Sequence, residues 1–219
     1  MTELPLLNPD DVLATAPEAF RRVWRSGLDQ PGFTLLRLAR KVNSHELRRA
    51  MVELVAAFPV AFVAERFGRF DQQVSSKFHR DGAPPASLLV LGYEPTRVRS
   101  RFWIADASAA AVRAGVSLTE YLAAHNPMFP AGEAELAPFI TEVGLPRGES
   151  FIVVVNNSQL PFDPGAGNPL GVLHKAVIES PDPTGCRVIN SIGFTPHKEG
   201  VSGLPPAELE RFLFRDDLD

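Results

Sequence analysis

The stretch "GVLHKAVIESPDPTGCRVINSIGF", residues 171–194, indicates the fold class of this 219-residue chain. It holds two segments rich in β-branched and aliphatic residues, 171–178 and 186–194, separated by a turn that contains two prolines, a glycine and an aspartate. Short segments of this composition, bounded by turn residues, are typical of β-strands. The stretch therefore predicts two consecutive strands with no helix between them.

Similar segments recur on the N-terminal side of this stretch, and one further strand is expected to end at His79. They cover residues 87–93, 100–106, 139–143 and 150–156. A run of about seven strands without crossover helices favours a sandwich or barrel over a doubly wound sheet. The sequence thus predicts a mainly β protein with a jelly roll of the double-stranded β-helix, cupin-like type.

Helical patterns flank and interrupt the strands. "APEAFRRVWRSG" (16–27) has Pro17 near its start, and "NSHELRRAMVELVAAF" (43–58) begins with a capping box of Asn43 and Glu46. "GFTLLRL" (32–38) between them reads as a strand.

An insert, "AAAVRAGVSLTEYLAAH" (109–125), predicts one or two short helices over the sheet, and "LPPAELERFLF" (204–214) predicts a last helix. A single domain of 1–219 is expected, because all-β domains often reach this size. Its expected parts are a helical N-terminal support (1–70), the jelly-roll core (74–195) and a tail with a helix (196–219).

Composition narrows the possible partners. The net charge of −4 and the pI of about 5.8 give no electrostatic reason to expect nucleic acid or an anionic membrane. The single cysteine, Cys186, excludes an internal disulfide and fits a reducing cytoplasm. The N-terminal residues do not read as a signal peptide, and the longest aliphatic run, "IVVV" (152–155), is too short to span a membrane. We expect a cytoplasmic protein with a small-molecule ligand; nothing in the sequence indicates an oligomeric state.

The motif "HRD" (79–81) allows more than one interpretation. A His-x-Asp arises by chance in roughly one such sequence in four, so it is weak by itself. A kinase catalytic loop would need an asparagine five residues after Asp81, where this chain has Ala86. At the end of a strand, His79 and Asp81 would project to the same side and offer two adjacent ligands to a metal ion.

A partner for this pair is found in the stretch 171–194. His174 shares a strand face with apolar residues, where an imidazole is either a satisfied core group or a ligand. Thirteen residues later Arg187 stands in a β-rich apolar segment and needs an anionic partner if it points inward. Ser191 lies on the same face as Arg187. Two histidines and one carboxylate are the ligands of non-haem Fe(II) oxygenases.

The order His79, Asp81, His174 and Arg187 resembles the pattern of the Fe(II)- and 2-oxoglutarate-dependent dioxygenases across residues 74–195. The spacing of 95 residues from His79 to His174 resembles that of the phytanoyl-CoA-hydroxylase-like branch more than that of the prolyl-hydroxylase branch. "GFTLLRL" resembles an N-terminal strand that many of these enzymes carry. One departure is Ile189, which stands where many members have the serine of Arg-x-Ser.

The resemblance implies that His79, Asp81 and His174 hold Fe(II), with 2-oxoglutarate as co-substrate and O2 as oxidant. The distal carboxylate of 2-oxoglutarate would reach Arg187, assisted by Ser191, with Lys77 as an alternative anchor. The implied reaction hydroxylates or otherwise oxidises an unactivated C–H bond of a small molecule and yields succinate and CO2. Because the related halogenases lack the carboxylate, Asp81 implies oxidation rather than halogenation.

Substrate contacts are expected from the polar loop before the His174 strand and from a basic face. The candidates are Asn156, Asn157, Gln159 and Arg101. Two alternatives remain open: a non-catalytic jelly-roll ligand-binding protein, and a cupin-type metalloenzyme that does not use 2-oxoglutarate. The second alternative requires a further inward ligand, for which Glu94 is the nearest candidate.

Overall fold

The computed structural model describes residues 5–198 and 203–219. Residues 1–4 of the predicted N-terminal support and residues 199–202 of the predicted tail lie outside this part of the chain. The strands are β1 (Leu6–Leu7), β2 (Phe33–Leu38), β3 (Phe62–Asp71), β4 (Leu88–Tyr93), β5 (Arg99–Ala105), β6 (Ile140–Val143), β7 (Phe151–Asn156), β8 (Leu173–Ser180) and β9 (Val188–Pro196). The helices are α1 (Ala16–Val23), α2 (Ser44–Ala56), α3 (Ala107–Ala114), α4 (Leu118–Ala124), α5 (Pro130–Leu136) and α6 (Pro206–Phe214).

Two sheets account for these strands. The larger has the order β1-β2-β7-β4-β9-β3 and the smaller the order β6-β5-β8. All neighbours pair antiparallel except β1 and β2. The free edge of β8 is extended by a short segment, residues 76–79, whose main chain bonds to Ala176 and His174.

The inner faces of the two sheets enclose one apolar layer, called here the interior. From the larger sheet it takes alternate residues of β4 and β7, including Leu89, Leu91 and Val153, and from the smaller sheet Phe102 and Ile104. Every residue of β7 is buried, which explains why its sequence is continuously apolar rather than alternating. The interior is the layer from which the candidate site is built.

Helices cover the outer faces of both sheets. The outer face of the larger sheet packs against α1, α2 and α6. Both hydrogen bonds of the predicted capping box of Asn43 and Glu46 are present at the start of α2. Helices α3, α4 and α5 lie between β5 and β6 and pack on the smaller sheet through a cluster that includes Phe78 and Leu173. The predicted insert of 109–125 thus falls on α3 and α4, and α5 was not predicted.

The structure corrects the helical N-terminal support predicted for residues 1–70. β3 is a ten-residue strand that pairs with β9 along its length, so residues 62–71 belong to the larger sheet. Its sequence, "FVAERFGRFD", hides this role because a register shift between Ala64 and Arg66 interrupts the alternation. In the described ranges 5–198 and 203–219, no helix is long and apolar enough to cross a membrane.

Candidate metal centre

His79 is positioned by the pairing of residues 76–79 with β8. Its main chain exchanges two hydrogen bonds with His174, of 3.1 and 3.0 Å, which sets the two residues directly opposite each other. The His79 Nδ1 atom lies 2.7 Å from the carbonyl oxygen of Lys77. If Nδ1 donates to that carbonyl, the Nε2 lone pair stays available for a ligand.

His174 enters the site from the second residue of β8. It faces the interior together with Val172 and Ala176, which is the strand face predicted from the sequence, and its side chain is buried. The rings of His79 and His174 are 4.2 Å apart between centroids. The buried Nδ1 atom of His174 has no hydrogen-bond partner in the described residues.

Asp81 completes the group. Its Oδ1 atom lies 3.3 Å from Nε2 of His79 and 3.9 Å from Nε2 of His174, while Oδ2 accepts a 2.8 Å hydrogen bond from Arg66. One ligand atom from each of the three residues falls within 4.8 Å of the others. Two imidazole nitrogens and one carboxylate at this spacing suit a divalent transition metal with open coordination positions.

Electrostatics keep His174 and Asp81 in ligand-competent states. Burial and the neighbouring His79 lower the pKa of His174 to about 4, so its ring is neutral at neutral pH. Burial tends to raise the pKa of Asp81, but the hydrogen bond from His79 and the nearby positive charges outweigh it and lower that pKa to about 2. The same hydrogen bond, which Asp81 accepts, raises the pKa of His79. A metal ion between these groups would replace that bond.

The loop that carries Asp81 is held by Asn157. The Asn157 amide donates to the main-chain oxygen of Asp81 at 3.1 Å and to Ser87 Oγ at 3.2 Å, and it accepts from the main-chain nitrogen of Asp81 at 3.2 Å. Arg80 adds bonds to the main-chain oxygens of Asn157 and Ala83. Asn157 therefore supports the loop that carries Asp81, a role that the sequence did not indicate.

We expect Asn157→Ala to weaken metal binding because it removes two hydrogen bonds that fix the main chain of Asp81. Loss of such outer partners typically costs about 10- to 100-fold in metal affinity. Titration with Mn(II) measures the change. Asn168→Ala is the matched control, since among the residues described the Asn168 side chain bonds only to the main-chain oxygen of Pro161. Equal metal affinity in the two variants would contradict the assigned role.

Arg187 lies deep in the protein, just before β9. It is 1% exposed, and its guanidinium contacts Ser100, Gln72 and the face of Tyr93. Its Nη2 atom is buried without a hydrogen-bond partner, and it forms no ion pair with any residue that the structure describes. A buried cation in this state is costly unless an anion completes its surroundings.

Arg187 and the histidines border the same interior. Phe102 lies 6.2 Å from the ring of His174 and 6.5 Å from that of Tyr93, which in turn contacts Arg187. Ser191 is buried and shares the inward face of β9 with Ile189. The predicted metal ligands and the predicted anion-binding residues therefore belong to one layer between the sheets.

The remaining candidates lie elsewhere. The Asn156 side chain is fully buried and bonds to Val23 and Ser158, and Gln159 bonds to Arg80, so these side chains serve the fold. Arg101 is on the outer face of β5, paired with Glu142 and stacked on Trp103. Lys77 contacts the site through its main-chain oxygen, which lies 2.7 Å from Nδ1 of His79. Glu94 bonds to Ser44, Arg69 and Asn190, and it is not part of the metal group.

Comparisons with known proteins found similarity to solved structures alone. No family model matches the chain, and no curated protein matches it in sequence. A structure of asparagine oxygenase in complex with Fe(II), (2S,3S)-3-hydroxyasparagine and succinate is 12% identical, with a TM-score of 0.46, and the match covers 86% of this chain and 85% of that one. A second structure of asparagine oxygenase is 14% identical, with a TM-score of 0.46 and coverage of 87% and 85%. Neither likeness identifies the chemistry of this chain, which rests on its own residues.

Proposed function

We propose that this protein is an Fe(II)- and 2-oxoglutarate-dependent oxygenase that hydroxylates, or otherwise oxidises, a C–H bond of a small molecule. The observation that carries the proposal is the pairing of two features in one interior. One is the group of His79, Asp81 and His174. The other is the buried guanidinium of Arg187, which has no anionic partner among the residues described. A metal that binds one end of a dicarboxylate, and an arginine that binds the other, account for both features.

The strand order supports a double-stranded β-helix. When residues 76–79 are counted as a strand, one sheet contains β3-β9-β4-β7 and the other contains 76–79, β8, β5 and β6. Eight strands divided in this way between two facing sheets are the arrangement of a jelly roll. In this arrangement the metal ligands come from two adjacent strands of the smaller sheet, at the same end.

The donor set fits Fe(II) in several respects. Imidazole nitrogen and carboxylate oxygen are ligands that iron accepts, and three protein ligands on one side leave positions for co-substrate and O2. Bound Fe(II) would supply the activation of O2. The residues of the chain hold the metal, keep His174 neutral and Asp81 ionised, and surround the site with an apolar layer that limits water.

Arg187 would receive the distal carboxylate of 2-oxoglutarate. The guanidinium presents planar donors suited to a carboxylate, and its buried Nη2 atom lacks a partner. Ser100 and Gln72 fix the orientation of the guanidinium, and the hydroxyl of Ser191 is on the adjacent inward face of β9. In the balanced reaction, substrate C–H, 2-oxoglutarate and O2 become substrate C–OH, succinate and CO2.

A thermal-shift experiment separates this proposal from its alternatives. We expect Mn(II), used in place of Fe(II), to raise the Tm, and 2-oxoglutarate to raise it further only when metal is present, because each ligand binds the folded state. Glutarate, which lacks the 2-oxo group, is the matched control and should raise the Tm less than 2-oxoglutarate does. A shift with metal alone would favour a cupin-type metalloenzyme without 2-oxoglutarate. No shift with either ligand would favour a non-catalytic binding protein.

A further inference from the structure

A cavity of about 210 Å³ is lined by Asp81. Its wall also includes residues 82–84 of the loop that carries Asp81 and parts of the paired strands β3 and β9. The lining residues used below are Glu65, Arg66, Asp81, Gly193 and Thr195. A molecule in this cavity would therefore contact one of the proposed metal ligands.

A β-bulge directs two opposite charges into this cavity. Ala64 pairs with Phe194 and Arg66 with Gly193, so Glu65 is the extra residue of β3. Consecutive residues of a regular strand point to opposite faces, whereas a bulge can re-aim one of them. Glu65 and Arg66 consequently line the same cavity. Such bulges are frequent next to active sites.

Both charges retain capacity to bind a ligand. Arg66 donates to Asp81 through Nη2, while its Nε and Nη1 atoms bond to nothing in the ranges 5–198 and 203–219. Glu65 accepts one hydrogen bond, of 2.7 Å, from the Thr195 hydroxyl, and it forms no ion pair with the residues described. Gly193 contributes no side chain opposite Arg66, which leaves space between the strands.

We propose that this cavity binds the oxidised substrate, and that the substrate is a small zwitterion of the free amino acid class. Its carboxylate pairs with Arg66 and its ammonium group with Glu65, which places the rest of the molecule beside Asp81. The volume of about 210 Å³ suits a compound of that size. This proposal rests on the proposed oxygenase function and names its substrate class.

The first test uses the unmodified protein with Fe(II), ascorbate, O2 and 2-oxoglutarate. Succinate formation is measured without substrate and with each member of a panel of L-amino acids. The matched compounds are the corresponding α-carboxamides and N-acetyl derivatives, which lack one charge each. We expect at least one amino acid to raise the succinate rate and to gain one oxygen atom by mass spectrometry. Both neutralised forms should be weaker activators by about 10-fold or more.

The second test assigns each charge to its partner. Glu65→Gln is expected to raise the KM of the activating amino acid about 10- to 100-fold while changing the KM of its N-acetyl form little. Arg66→Gln should likewise raise the KM of the amino acid while changing the KM of its α-carboxamide little. Glu210→Gln, an exposed change on α6, serves as the control and should shift neither value.

Each outcome decides the proposal. If Glu65→Gln affects the amino acid and its N-acetyl form equally, the ammonium contact is wrong. If Arg66→Gln weakens the acid and its amide equally, Arg66 only orients Asp81. If the protein turns over 2-oxoglutarate slowly in isolation but no amino acid changes the rate, the substrate class is wrong and the oxygenase function stands. If no succinate forms under any condition, the failure belongs to the oxygenase function instead.

Discussion

Replacing His174 with alanine is expected to abolish Fe(II)-dependent formation of succinate from 2-oxoglutarate. His174 supplies one of the two nitrogen ligands of the proposed centre. Without it, two protein ligands remain, His79 and Asp81, which are too few to hold a divalent ion tightly. Loss of a direct ligand should exceed the 10- to 100-fold cost of losing an outer partner, so we expect Mn(II) affinity to fall by more than about 100-fold. Titration with Mn(II) and a succinate assay measure the two effects.

His197→Ala is the matched control for this change. His197 is exposed and lies beyond the end of β9, where its main-chain nitrogen donates a hydrogen bond to Ala61. Circular dichroism should show that both variants keep the β structure. If His174→Ala binds metal and turns over 2-oxoglutarate like the unmodified protein, the proposed metal centre does not exist.

Replacing Arg187 with methionine is expected to remove 2-oxoglutarate binding while metal binding persists. Truncating one partner of a buried, hydrogen-bonded charge pair costs about 2–5 kcal/mol, so 2-oxoglutarate affinity should fall at least about 30-fold. Without ligand, the variant should keep its Tm or gain a little, because an apolar side chain replaces a buried cation that has no anion. Isothermal titration with Mn(II) present measures the affinity, and a thermal melt measures the stability.

Arg49→Met controls for a general loss of positive charge. Arg49 is exposed on α2 and forms no ion pair with the residues described, so its removal should leave 2-oxoglutarate affinity unchanged. A large loss of ligand-free stability in Arg187→Met, with co-substrate affinity retained, would make Arg187 a structural residue and would contradict the role proposed for it.

Local signals made much of the fold predictable. β7 is continuously apolar and β8 alternates around His174, so both strands were expected close to their observed bounds. The capping box of Asn43 and Glu46 marked the start of α2, and it is confirmed. In each case the determining residues lie within one element, which is why a reading along the chain found them.

Long-range pairing was harder to predict. β3 depends on β9, more than a hundred residues away, and its bulge removes the alternation that would reveal a strand. The role of Asn157 comes from bonds to Asp81, which is distant in sequence, and a polar residue in a loop gives no sign of its partner. Arg66 was missed for the same reason, since its contact with Asp81 exists only once β3 has joined the sheet.

The candidate site residues were predictable where their chemistry allows few residue types. His174 and Arg187 stood out because imidazole and guanidinium groups in apolar strands need partners. His79 and Asp81 stood out because their spacing offers two adjacent ligands. The structure brings the two histidines and Asp81 together. The polar loop gave weaker guidance, because an amide such as Asn156 serves a ligand and a buried main chain equally well.

The most direct test of the central claim is the production of succinate by the purified, unmodified protein. It is incubated with 2-oxoglutarate and O2, with and without Fe(II), and succinate and CO2 are quantified together. The proposal predicts that both products appear in equal amounts, only when Fe(II) is present, and not in the His174→Ala variant. Tight binding of Fe(II) and 2-oxoglutarate with no succinate, even with the substrate panel present, would contradict it.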